Sequence, residues 1–200
     1  MSGARQVVPL VLGLMLPVNV AAHGGSAERG VVVQLDKQGG ALLWRVTMRG
    51  RPAMLMAAPQ DRDGDGALRG EEGRRLAITI LAKASRDFRL QWEGEPLATR
   101  AVEARLEGPA QVGDALTVVG LMQFALPAGA VQGTLAASLT GPEGVVSLQV
   151  QGLDGWRLVT TSAGQIDADG QGLTRAVALG RQRAQHFVMK RPPPTGEPGK

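Results

Sequence analysis

The sequence contains no cysteine and no tyrosine, and aromatic residues make up only 3% of its 200 residues. The absence of cysteine excludes disulfides, thiol catalysis and thiolate metal ligands. Because aromatic side chains are scarce, we expect a core of leucine, valine, alanine and methionine. The basic excess is also small, with 22 Lys and Arg against 18 Asp and Glu. These basic residues are scattered along the chain, so no nucleic-acid partner is expected.

Long hydrophobic runs are absent as well, apart from a short one near the amino terminus. Arg5 precedes the apolar run VVPLVLGLMLPV at 7–18, and small residues follow at 20–22. This pattern is typical of a signal peptide, here 1–22, that is cleaved near Ala22. The run is broken by proline and falls short of the roughly 20 residues that a membrane-spanning helix needs. The sequence therefore predicts an exported protein, periplasmic or secreted, without a membrane span in the mature chain.

Most of the remaining chain consists of short segments in which apolar residues alternate with polar ones. Alternation of this kind, with turns rich in glycine and proline between the segments, is typical of antiparallel sheets and sandwiches. The predicted strands are 31–35, 41–48, 88–92, 101–107, 116–126, 133–140, 145–151, 156–162 and 173–179. Two helices interrupt them, a short one at 52–58 and a longer one at 71–85, where apolar residues recur at helical spacing. The predicted fold is α+β, mainly antiparallel β.

The predicted organisation is a single β-rich domain with a flexible segment at each end. Residues 23–29 are expected to form a flexible mature amino terminus, and 30–180 are expected to form the domain. The stretch 181–200 is basic and rich in proline, a composition typical of disordered tails. We therefore predict that the domain ends near residue 180.

The most specific motif in the sequence is the acidic segment DRDGDGALRGEE at 61–72. It matches the calcium-loop pattern D-x-[DN]-x-[DN]-G-x₅-E of EF-hands at every constrained position. Calcium takes six to eight oxygen ligands, and a twelve-residue loop can supply them from alternating positions as it wraps the ion. The predicted ligands are Asp61, Asp63, Asp65, the carbonyl of Ala67 and the bidentate carboxylate of Glu72. The sequence therefore predicts one Ca²⁺ site that orders a β-rich binding module.

Two features distinguish this loop from a regular paired hand. Pro59 lies just before it and shortens the entering helix, because the residue before a proline is biased away from helix. The second acidic segment, 167–178, has Gln171 and Ala178 at the fifth and twelfth positions and is predicted to be a hairpin turn. Leu68, at the position where hands usually pair, is therefore expected to pack on the β-domain.

The loop, its following helix, FRLQWEGEPL (88–97) and GWRLV (155–159) together resemble the bacterial extracytoplasmic EF-hand-domain proteins. Similar modules precede the membrane part of some nickel-transporter-like and hydrogenase-accessory-like proteins. The resemblance covers roughly residues 28–162, and only the loop is specific. It implies calcium ligation at the five ligand positions named above. It implies no transport activity, and it leaves open a protein partner in the cell envelope.

The alternative function is copper or other transition-metal handling outside the cytoplasm. Cleavage after Ala22 would place His23 at the mature amino terminus, and Met54 and Met56 would add soft thioether ligands that suit Cu(I). Cleavage after Ala27 would instead remove this histidine, and methionines at such positions commonly fill a core.

Catalysis is not expected from the motifs. The sequence has no G-x-S-x-G or H-E-x-x-H motif, and its two histidines lie far apart in the chain. The densest group of carboxylates is assigned to calcium. We therefore predict that the protein is not an enzyme.

Overall fold

The computed structural model describes residues 27–140, 145–180 and 183–192, so the predicted signal peptide and His23 lie outside it. Within those ranges the chain is mostly β-strand with two helices, and the predicted β-rich α+β class is confirmed. The elements are β1 (Glu28–Asp36), β2 (Gly39–Met48), α1 (Gly50–Ala57), β3 (Ala67–Leu68), α2 (Gly70–Ser85), β4 (Phe88–Trp92), β5 (Glu95–Pro96), β6 (Thr99–Leu106), β7 (Ala110–Gln111), β8 (Leu116–Phe124), β9 (Gln132–Leu139), β10 (Val146–Gly152), β11 (Arg157–Thr161), β12 (Val177–Leu179) and β13 (Gln185–Lys190).

The strands form two large sheets and one two-stranded ladder. The first sheet has the order β12-β10-β1-β2-β8-β6, the second has the order β11-β13-β9-β4-β5, and β3 pairs with β7. All of these pairings are antiparallel except β1 with β10, which run parallel. The mainly antiparallel arrangement agrees with the sequence prediction, and the parallel pair was not predicted because it joins segments more than a hundred residues apart.

The core lies between the two large sheets, and β2 shows how the sequence produces it. Leu42, Trp44, Val46 and Met48 are buried, as their alternation predicts. The Trp44 ring meets the ring of Phe88, which lies in the second sheet, edge to face at a centroid distance of 5.3 Å. The alternating face of the first sheet therefore packs directly against the second sheet.

Helix α2 covers another part of the same face, next to β6 and β8. A glycine makes this close approach possible, since a Cβ on Gly120 of β8 would lie only 2.6 Å from the Leu81 side chain. Near the same, carboxyl-terminal end of the helix, the guanidinium of Arg29 donates a hydrogen bond to the carbonyl of Ala84 over 3.2 Å. Neither helix in the described ranges combines the length and the apolar character that crossing a membrane requires.

The predicted domain boundaries need correction at both ends. Residues 181–200 were expected to form a disordered tail, yet Gln185–Lys190 form β13 in the interior of the second sheet. Phe187 and Met189 of this strand are completely buried. The strand was missed because its short alternation is flanked by basic residues and prolines. Likewise, Glu28 and Arg29, which were assigned to a flexible segment, already belong to β1.

If β13 is part of the core, shortening its central side chain should destabilise the whole domain. We expect Phe187→Ala to lower the free energy of unfolding by about 3–5 kcal/mol, because it leaves a cavity between the sheets. His186→Ala, one residue away on the exposed side of the strand, should change it by less than about 0.5 kcal/mol. Urea unfolding of the two variants compares these effects, and equal stability would contradict the placement of β13.

Candidate metal centre

The acidic loop 61–72 connects the two helices. Helix α1 runs from Gly50 to Ala57, two residues earlier than predicted at its start, and it ends before Pro59 as expected. The chain then turns, with the Gln60 N–H donating to the Ala57 carbonyl over 2.8 Å. Helix α2 begins at Gly70, inside the loop segment. The loop is thus held at both ends by elements that are packed on the core.

Three aspartates of the loop converge on one small volume. Ligand oxygens of Asp61, Asp63 and Asp65 all lie within 4.8 Å of one another. Two oxygens that share one calcium ion at roughly 2.3–2.6 Å are at most about 5 Å apart. The spacing of these carboxylates therefore fits a single cation. Clusters of exposed acidic side chains also occur without an ion, so the spacing alone does not identify a metal.

Backbone hydrogen bonds orient these three carboxylates. The Gly66 N–H donates to Asp61 Oδ2 over 3.1 Å, the Asp65 N–H to Asp63 Oδ1 over 3.1 Å, and the Ala67 N–H to Asp65 Oδ1 over 2.7 Å. Gly66 has a φ of +76°, a left-handed conformation that glycine adopts with the least strain. The glycine predicted at the sharp turn therefore has the expected conformation, and the chain curls around the three side chains.

The second oxygen of Asp61 is buried and unpaired. Asp61 Oδ1 is inaccessible to solvent and has no hydrogen-bond partner among the described residues. An unpaired buried acceptor of this kind costs free energy, and more so when it carries charge. A cation beside it would supply the missing interaction. This unpaired atom is therefore stronger support for a metal site than the acidic composition of the loop is.

Glu72 lies close to the loop but outside this group of three carboxylates. It stands in the first turn of α2, and its Oε1 accepts a hydrogen bond from the Arg62 N–H over 2.7 Å. The structure therefore brings together three of the four predicted carboxylates and holds the fourth against the second residue of the loop. Ala67, whose carbonyl is the remaining predicted ligand, is buried in β3.

The neighbouring acid Glu71 is engaged elsewhere. Its carboxylate forms an ion pair with Arg74 over 2.7 Å on the exposed face of α2. The hydrogen bond from Arg74 is the main cause that holds the pKa of Glu71 below its usual value; desolvation opposes it, and the positive charges of Arg74, Arg75 and Arg62 add smaller lowering effects. The two adjacent glutamates therefore differ in their surroundings, and only Glu72 is directed toward the loop.

The loop pairs with a segment of the β-domain through β3. Leu68 is opposite Ala110 of β7, and the Val112 N–H donates to the Gly66 carbonyl over 2.8 Å. Leu68 is only 3% exposed, which confirms that it packs on the β-domain. The sequence did not identify β7 as the partner, because a two-residue strand shows no alternation.

The second acidic segment has the form of a turn. Its ends are joined by an antiparallel bridge between Ile166 and Leu173, and the Asp167 N–H donates to the Gly172 carbonyl over 2.9 Å. The Asp167 carboxylate accepts a hydrogen bond from the Gln171 N–H over 2.7 Å. This geometry agrees with the predicted hairpin turn.

The two methionines of the copper alternative point in different directions from α1. Met54 is 44% exposed, whereas Met56 is partly buried and packs against the core. Residues two apart on a helix do not share a face, so these two sulfur atoms do not converge on one ion.

Comparison with protein-family models gave no match, and no curated protein matches the chain either. The functional assignment therefore depends on the chemistry of the loop itself.

Crowding of three carboxylates should destabilise the metal-free protein. We expect Asp63→Asn to raise its melting temperature by about 2–4 °C at low ionic strength, since about 1 kcal/mol of repulsion is relieved and the amide oxygen still accepts the Asp65 N–H. Asp114→Asn is the matched control, because Asp114 accepts one backbone N–H from Gln111 and lies outside the cluster. A lower melting temperature for Asp63→Asn than for this control would contradict the crowding.

Proposed function

We propose that the protein binds one calcium ion in the loop 61–72, and that the ion orders the junction between this loop and α2. The observation that carries the proposal is the buried, unpaired Oδ1 of Asp61, beside two further carboxylates at the spacing that one ion requires. The complete calcium-loop pattern in the sequence supports it independently.

The donor set favours a hard cation. All side chains proposed as ligands carry carboxylate oxygens, and the segment 61–72 contains no histidine, methionine or cysteine. Oxygen donors of this kind suit calcium, magnesium or manganese, whereas copper and zinc favour nitrogen and sulfur. The twelve-residue spacing, with an acid at its last position, favours calcium among the hard cations because a bidentate carboxylate there brings the oxygen ligands from the protein to six.

In the proposed complex, Asp61, Asp63 and Asp65 each give one oxygen, Ala67 gives its carbonyl, and Glu72 gives both carboxylate oxygens. For this, Glu72 exchanges its hydrogen bond to the Arg62 N–H for the ion. This exchange would link the first turn of α2 directly to the loop. Because Leu68 already fixes the loop to β7, the expected effect is local ordering rather than an opening of the two helices.

Calcium should therefore stabilise the protein through Glu72. We expect the melting temperature to rise by about 3–6 °C when calcium exceeds its Kd tenfold, which corresponds to about 1.4 kcal/mol. Glu72→Gln should remove most of this rise. Glu71→Gln is the matched control, since it makes the same chemical change one residue away, on a side chain paired with Arg74. Thermal unfolding with calcium and with a chelator measures all three proteins.

An unchanged melting temperature of the wild-type protein in millimolar calcium would refute the proposal, as would an equal loss of the calcium effect in both glutamine variants. A parallel titration with copper tests the alternative function. Tight copper binding that His23→Ala abolishes, together with no response to calcium, would favour transition-metal handling.

Arg69 should weaken calcium binding. It occupies the ninth position of the loop, where calcium loops often hold a water-bridging side chain, and it places an exposed positive charge there. It also stands at the N-cap of α2 without a side-chain capping bond. We expect Arg69→Asp to raise the calcium affinity at least about tenfold, because the added carboxylate increases the ligand charge of the loop.

Calorimetric titration measures this affinity directly. The control is Arg62→Asp, which gives the loop the same change of charge at its second position, where the side chain is exposed and only the backbone N–H contacts Glu72. If both variants gain the same affinity for calcium, the gain comes from the changed net charge of the loop, and position 69 has no special role.

A further inference from the structure

A second polar site lies at one end of the sandwich, outside the acidic loop. A partly open cavity of about 130 Å³ is lined by the turn between β1 and β2, the segment 126–130 that follows β8, Trp156 and Arg191. It is smaller than the roughly 300–1,000 Å³ of pockets for drug-sized ligands. Its size therefore suits a small molecule or ion.

Trp156 provides a rigid wall of this cavity. Its side chain is only 1% exposed, and its ring meets Trp92 edge to face at a centroid distance of 5.7 Å. Its indole N–H donates to the Asp36 carbonyl over 2.9 Å, which ties the ring to the β1–β2 turn. Both ends of the indole are thus held, so the ring position is fixed in advance of any ligand.

Arg191 is held over this ring with its charge unpaired. Its guanidinium carbon lies 5.3 Å from the centroid of the Trp156 ring, and its backbone N–H donates to the Val131 carbonyl over 2.8 Å. Its Nε is buried and has no hydrogen-bond partner in the part of the chain that the structure describes. No described carboxylate forms an ion pair with it. A guanidinium donor that is desolvated and unpaired favours an anionic ligand.

The charges around the cavity leave an excess of one positive charge. Lys37, at the β1–β2 turn, is exposed and lines the cavity together with Arg191. Asp36 also lines it, and its Oδ1 already accepts the Gln38 N–H over 2.7 Å. Two cations against one carboxylate leave a net charge of +1, which one singly charged anion neutralises.

We propose that this cavity binds the carboxylate group of a small organic acid. A carboxylate is planar, carries one negative charge and matches the planar donor edge of a guanidinium. Arg191 and Lys37 would bind the charged end of the acid next to the Trp156 wall. The proposal is independent of calcium binding.

The test uses the full chain, isotope-labelled for NMR, and sodium acetate as the probe. The Trp156 indole N–H signal, assigned with Trp156→Phe, should shift and saturate as acetate is added. Sodium chloride at the same ionic strength should not reproduce the shift. Arg191→Gln should weaken acetate binding at least about tenfold, as expected when hydrogen bonds to a charged group are lost.

Two further variants keep the test decisive. Arg100→Gln is the matched control, since it removes the same charge from an exposed residue of the edge strand β6, and it should bind acetate like the wild type. Lys37→Gln changes an exposed turn residue and should weaken binding by a smaller factor, even if Arg191→Gln fails to fold. The proposal would be overturned if the shifts do not saturate or if chloride reproduces them. It would also be overturned if the Lys37→Gln, Arg100→Gln and wild-type proteins give the same shifts.

Discussion

The structure depends on how the inner face of the six-stranded sheet is covered. The five-stranded sheet covers one part of it, through contacts such as Trp44 with Phe88, and α2 covers another part at Gly120. Burial of this apolar face is the main source of stability, because hydrophobic burial is the dominant favourable contribution to folding. The same burial fixes the position of α2, and Glu72, in the first turn of α2, is fixed with it. The acidic loop is therefore attached to a rigid support before any metal is considered.

This support decides what a bound ion can do. In paired hands, metal binding can change the angle between two helices and expose a groove. Here the loop is tied to β7 through Leu68, and α2 is held against the sheet through Leu81. The movable part is small: the Glu72 carboxylate, its bond to the Arg62 N–H, and the three aspartates. An ion at this position, as proposed, would act on the order of the loop more readily than on the angle between α1 and α2.

Local patterns in the sequence predicted the elements that depend on local interactions. The alternation in β2, the helical spacing in α2 and the turn at Gly66 follow from residues close together in the chain, and the structure contains all three. The pairing of β3 with β7 and the insertion of β13 between β9 and β11 depend on residues far apart, and no local pattern specifies them. For Glu72, the position in the loop pattern was predicted, but the hydrogen bond that its carboxylate accepts from the Arg62 N–H was not, because the pattern specifies ligand positions and not their contacts.

Among the described residues, three buried polar atoms have no hydrogen-bond partner. Whether such an atom indicates a binding site depends on the groups around it. Trp44 Nε1 is one of these atoms, and it lies within the apolar core cluster. Its cost is that of one neutral donor, offset by burial of a large ring. Asp61 Oδ1 and Arg191 Nε belong to charged groups, for which the cost is larger. Each of them also lies beside other polar groups that converge, the aspartates in one case and Lys37 with the β1–β2 turn in the other. This convergence around an unpaired charge, one negative and one positive, sets these two atoms apart from Trp44 Nε1 and supports the two proposed binding sites.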